Sequence, residues 1–70
     1  MKFYRNIGIA IEVRQNDQPI RHATKTALTD GKVTPADYVR CFKPLVEWFE
    51  ENHPGALENG IHRIAVEFDL

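Results

Sequence analysis

Three histidines, one cysteine and ten acidic residues are the side chains of this 70-residue chain that could bind a metal, move a proton or act as a nucleophile. Their spacing assembles none of the familiar sites. His22, His53 and His62 lie too far apart for one helix turn or one strand to join any two of them. No His-Glu-x-x-His run sets two imidazoles on one helix face. Cys41 stands between Arg40 and, two places on, Lys43, cations that favour a thiolate, yet no His or Asn is close in sequence to complete a nucleophile. A free cysteine in an apolar stripe behaves as a small hydrophobe, and that is the expectation for Cys41. One cysteine excludes an internal disulfide, and no Cys/His pair has zinc-ligand spacing. Asp30-Gly31-Lys32 starts like a calcium loop but lacks the further oxygen ligands and the closing Glu. The expectation is therefore a protein that is not an enzyme and has no cofactor and no metal. His53 is expected to cap a helix end, His62 to sit half-buried on the apolar face of a strand, and His22 to face solvent.

The element that must organise the rest is Thr34 to His53. Thr34-Pro35-Ala36-Asp37 reads as a helix start, with Thr as N-cap, Pro at the first helical position and Asp in the electropositive first turn. Apolar residues recur at Tyr38, Val39, Phe42, Leu45, Val46 and Phe49, the spacing of a packed helix. His53-Pro54-Gly55 ends it. Pro44 lies inside, on the polar side, where it removes a main-chain hydrogen bond to Arg40 and is expected to bend the helix. The apolar positions form two lines, Val39-Phe42-Val46-Phe49 and Cys41-Leu45-Trp48, with Tyr38 between them. That arc is wider than one contact needs.

Phe3 to Val13 alternates apolar and polar, as does Ile61 to Leu70, and each predicts a strand with one buried face. Gly8, inside the first, predicts a bulge or a close backbone approach. Gln15 to Pro19 is a turn by composition, and Pro54 to Gly60 a loop. Ile20 to Thr29 supports two readings. As a helix, Ile20, Ala23, Ala27 and Leu28 share a face, with Asp17 as cap and Gly31 as the left-handed end. As a strand, Thr24 and Thr26 are favourable, and Asn16-Asp17 becomes a hairpin loop. The helical spacing fits slightly better. The expected fold is α+β, a single small domain (residues 1–70) of order β-α-α-β, with β-β-α-β as the alternative. Its helices pack on one face of a small antiparallel sheet that is completed by dimerisation, because few strands are marginal alone and their edges invite pairing.

A chain this short buries only about 60% of its unfolded surface, which also favours oligomerisation. No apolar run approaches the roughly 20 residues of a membrane span, and no signal-peptide pattern opens the chain, so a soluble, cytoplasmic protein without membrane contact is expected. The net charge of −1 conceals an asymmetry. Residues 1–43 hold eight bases against four acids, a balance of +4, and residues 44–70 one base against six acids, a balance of −5. Glu47, Glu50 and Glu51 crowd the electronegative end of the long helix, against the dipole.

Those features point to a small non-catalytic interaction protein, a homodimer that binds another protein, of unidentified kind, through the aromatic and acidic helix end: Trp48, Glu47, Glu50, Glu51, Tyr38 and Cys41. The alternative is a nucleic-acid-binding regulator using Arg14, Arg21, Lys25, Lys32, Arg40 and Lys43 on a helix pair. A sequence pI near 6.3 disfavours it. In size and style the chain resembles the small accessory proteins of phages and mobile elements. That resemblance implies a function such as inhibition of a host nuclease or defence complex, and assigns no residue a role.

Overall fold

A computed structural model of the protein describes residues 4–15 and 17–69. The expected strand positions Phe3 and Leu70, and the turn residue Asn16, lie outside them. Along the chain come β1 (Asn6–Gln15), β2 (Gln18–Ala27), a 3₁₀ turn at Thr29–Gly31, α1 (Pro35–Asn52), the one-turn α2 (Ala56–Asn59) and β3 (Ile61–Asp69). The strands form one antiparallel sheet in the order β2-β1-β3.

β1 is central, and its alternation explains the layering. Ile7, Ile9, Ile11 and Val13 are buried on the face that meets α1, while Asn6, Gly8, Ala10, Glu12 and Arg14 lie on the other, open face. Each fully buried side chain of this size contributes about 1.5–3 kcal/mol. Opposite them α1 sends down Cys41, Leu45 and Phe49, spaced by four and all buried, and Ala56 of α2 closes the core. The pairing runs through Gly8 without a shift of register, Gly8 standing opposite both Lys25 and Glu67, so the expected bulge is absent.

Residues 20–29 overturn the helical reading. Gln18 to Ala27 is a strand, joined to β1 by a two-residue hairpin connection from Gln15 to Gln18. Asp17 takes the left-handed conformation there, φ 62°, which a short polar side chain tolerates. The helical match of Ile20, Ala23, Ala27 and Leu28 loses to a better arrangement, in which Ile20, His22, Thr24 and Thr26 alternate inward and pair with β1 along the whole strand. The Thr24 hydroxyl donates to the Cys41 carbonyl at 2.5 Å and lies 3.3 Å from its Sγ, tying the strand to the helix. The order is thus the alternative β-β-α-β, with α2 as a short addition in the expected loop.

The start of α1 is a capping box. The Asp37 N–H donates to Thr34 Oγ1 at 3.3 Å, and the Thr34 N–H donates to Asp37 Oδ2 at 2.8 Å. The helix continues through Pro44 and ends where the His53 N–H donates to the Phe49 carbonyl at 2.8 Å. At the end of α2, Gly60 presses on β1 so closely that a Cβ would fall 2.5 Å from Val13 Cγ1.

Candidate interaction surface

α1 packs on β1 and β2 and leaves β3 uncovered. The helix-side face of β3 is therefore exposed although it is apolar: Ile64 is 47% accessible, Val66 43% and Phe68 41%. Beside it, the N-terminal half of α1 turns an apolar flank outward, where Val39 is 60% accessible. Between the two runs a groove of about 390 Å³ lined by Ile9, Tyr38, Val39, Phe42, Lys43, Ile64 and Val66. Lys43 supplies the only charged side chain of that lining. This surface can bury apolar atoms, and it offers few polar groups to orient a small molecule.

Of the two helix lines read from the sequence, Cys41 and Leu45, joined by Phe49, meet the sheet, while Val39 and Phe42, with Tyr38, border the groove. The residues expected to form one binding site are therefore separated. Cys41 is fully buried, its Sγ within 3.5 Å of the Ile7 carbonyl, and is a core residue. Trp48 is half-buried. Its ring stacks on His22, centroids 4.0 Å apart and planes within 8°, and meets Phe49 edge-on at 5.1 Å. His22 is thereby drawn out of solvent onto the helix side of β2. Tyr38 precedes Trp48 by ten residues, about 15 Å along the axis. Glu47, Glu50 and Glu51 remain exposed at the C-terminal end of α1, whose last turn holds no base. Among the described residues no ion pair involves them.

His53 does serve the helix end, through its main-chain N–H, and its ring lies 5.4 Å from that of Trp48. His62 is exposed rather than half-buried, because α1 packs on β1 and β2 and not on β3. Among the described residues no group of three or more His, Cys, Asp or Glu converges as a metal site.

The six basic candidates do not make one patch. Arg14, Arg21 and Lys25 lie on the open sheet face, interleaved with acids; Lys25 Nζ reaches Asp69 at 2.9 Å, and nearby Arg63 stands 4.0 Å from Glu12. Arg40 and Lys43 belong to α1 on the opposite side, Arg40 engaged with the Asp37 carboxylate, and Lys32 follows the 3₁₀ turn. Two carboxylates are held below their usual range. For Asp37 the chief cause is the Thr34 N–H, followed by Arg40; for Asp69 it is the Lys25 ammonium. Both are ends of structural ties.

The side chains that sequence reasoning left out of the site are Val39, Phe42, Ile64, Val66 and Phe68. Their signal was present in the over-wide helix arc and in the unbroken alternation of the last strand. No helix is long and apolar enough to cross a membrane. Compared with protein-family models, curated proteins and solved structures, the chain matches none.

Proposed function

We propose that this chain is a small, non-catalytic protein-interaction module that works as a homodimer and binds another protein. The observation that carries this reading is the exposed apolar surface between α1 and β3. A domain this small has little apolar surface to spare, and contiguous apolar patches on soluble proteins mark contacts with other macromolecules. The acidic end of α1 lies apart from that surface. Glu47, Glu50 and Glu51, next to the half-buried Trp48, suit the docking of a basic protein surface, such as that of a host nuclease or defence complex which the module would inhibit. The nucleic-acid reading has less support, since its basic residues are divided between opposite faces and partly engaged by carboxylates.

The test is affinity capture from the native host with the wild-type chain and with the variant Glu47→Lys, Glu50→Lys, Glu51→Lys. A partner retained by the wild type and lost by the variant is the expected outcome. Equal retention by both removes the acidic end from the reading.

A further inference from the structure

The open surface has an edge as well as a face, and the edge has a definite hydrogen-bonding phase. Leu28 N–H donates to the Arg5 carbonyl at 2.7 Å, which continues the β1–β2 register. Along an antiparallel ladder hydrogen-bonded and non-hydrogen-bonded pairs alternate, so odd-numbered residues of β1 address β2 and even-numbered ones address β3. In β3, Ile61, Arg63, Ala65, Glu67 and Asp69 thus bond to β1. His62, Ile64, Val66 and Phe68 turn their N–H and C=O groups to the free edge, and the same four carry the exposed helix-side face.

The two edges of the sheet are unlike. That of β2 carries Pro19, which has no N–H, with Arg21 and Lys25, and its Ala27 carbonyl accepts from Arg40 at 3.5 Å. Proline and cations are the usual guards of a strand edge. β3 has no such guard on its outward-bonding positions.

We propose that a second copy of this chain pairs with the free edge of β3, the two strands running antiparallel about a twofold axis at Ala65; this rests on the reading of the chain as a dimeric module. The register follows from charge. Centred on Ala65, Arg63 of each copy stands opposite Glu67 of the other, in the closer, non-hydrogen-bonded class of pair, while Ile64 bonds to Val66 and His62 to Phe68. Centring on Arg63 or on Glu67 opposes like charges. Centring on Ile64 leaves Arg63 opposite Ala65. Centring on Val66 opposes Arg63 to Asp69, which Lys25 at 2.9 Å and Asn6 at 3.4 Å already hold. A foreign strand has no reason to match this self-complementary order.

The axis is perpendicular to the sheet, so both copies of α1 fall on the same side of a six-stranded sheet, β2-β1-β3-β3-β1-β2. Ile64, Val66 and Phe68 of both copies then form a central strip flanked by Tyr38, Val39 and Phe42 from each helix. The two grooves become one continuous apolar trough between the two helices.

Mass measurement by light scattering on the full chain at tens of micromolar tests the surface, with circular dichroism to confirm folding. The wild type is expected at twice the chain mass of 8.1 kDa. Glu67→Arg, at a position that pairs with Gly8 within its own chain, sets two arginines together in both pairs and is expected at the single-chain mass. Arg63→Glu is expected to do the same, and an equimolar mixture of the two variants to return to the doubled mass. Register is tested by oxidative cross-linking. Ala65→Cys sets two thiols across the axis with Cα atoms about 4.5 Å apart, inside the range of about 4.4–6.8 Å that a disulfide spans, and is expected to form a covalent dimer. Arg63→Cys, four residues from its own copy and so about 13 Å away, is expected not to. A single-chain mass for the wild type overturns both this pairing and the dimeric reading. A doubled mass that survives Glu67→Arg, with no cross-link through Ala65→Cys, overturns the pairing alone.

Discussion

Replacing Glu47, Glu50 and Glu51 by glutamine should stabilise the fold while weakening partner capture. Glu50 and Glu51 occupy the last turn of α1, where unsatisfied carbonyls concentrate negative potential, and that turn contains no base. Each carboxylate there costs about 0.3–1 kcal/mol at low salt. Glu47 stands one turn earlier, where the dipole effect has faded, but it opposes Glu51 at i,i+4, a repulsion of roughly 0.2–0.5 kcal/mol. Together the three changes are worth about 1–2 kcal/mol, and no ion pair among the described residues offsets the gain. For a domain of this length each kcal/mol moves the thermal midpoint by roughly 4–8 °C. The triple variant should therefore melt about 5–15 °C above the wild type when both are scanned at one protomer concentration and low ionic strength. The difference should shrink in 1 M salt, where the Debye length falls to about 3 Å. An unchanged midpoint at low salt, or a rise that salt leaves untouched, would refute the dipole argument. A stabilised variant that still captures the partner would show that the acids serve no docking role.

Pro44→Ala should raise stability by about 2 kcal/mol in urea denaturation, since an interior helical proline costs about 3 kcal/mol and its restriction of the unfolded chain returns up to about 1. Gly60→Ala should lower stability by about 1–3 kcal/mol, because the new Cβ meets Val13 Cγ1 at 2.5 Å and the Ala56 carbonyl at 2.8 Å; a neutral result would mean that α2 shifts freely. The pH dependence of the thermal midpoint reports on Asp37, whose folded-state pKa lies below its ordinary 3.8. A depressed carboxylate pKa stabilises above the unfolded value and ceases to do so as pH falls through the folded one. Asp37→Asn should thus melt earlier than wild type at neutral pH, with the gap closing below about pH 4.

What the sequence made legible were the elements whose local chemistry and packing agree. Thr34, Pro35 and Asp37 spell a helix start that the capping box realises, and both alternating stretches are strands, β1 from Asn6 to Gln15 with the expected buried face and β3 from Ile61 to Asp69 with none. β2 was misjudged because its inward face is Ile20, His22, Thr24 and Thr26, a polar series whose place depends on partners that sequence does not display. Thr24 is satisfied by the Cys41 carbonyl and His22 by the ring of Trp48. The same hidden pairing explains Trp48. Its ring is half-buried because the strand beneath it supplies an aromatic face. Misplacing β2 also concealed the count of strands, and with it the fact that one of them has no cover.

That count bears on why β3 is apolar at all. A helix about 10 Å across spans two strands spaced about 4.8 Å apart, so one helix cannot cover a sheet of three. β2, at one edge, accommodates exposure with Pro19, Arg21, Lys25 and a half-polar inner face. β3, at the other, carries Ile64, Val66 and Phe68 in unbroken alternation, the pattern of a strand with neighbours on both sides and a layer above. The chain provides it with one neighbour and no layer. Left open, such an edge templates indiscriminate pairing of chain upon chain. In the proposed dimer the order Arg63-Ile64-Ala65-Val66-Glu67 would limit that pairing to a single symmetric event, because two copies joined about Ala65 would spend both β3 edges and leave only the guarded β2 edges facing solvent. A self-limiting charge pattern on an otherwise sticky strand is what distinguishes an interface from an aggregation site, and on the proposed pairing that distinction would rest on the signs of residues 63 and 67.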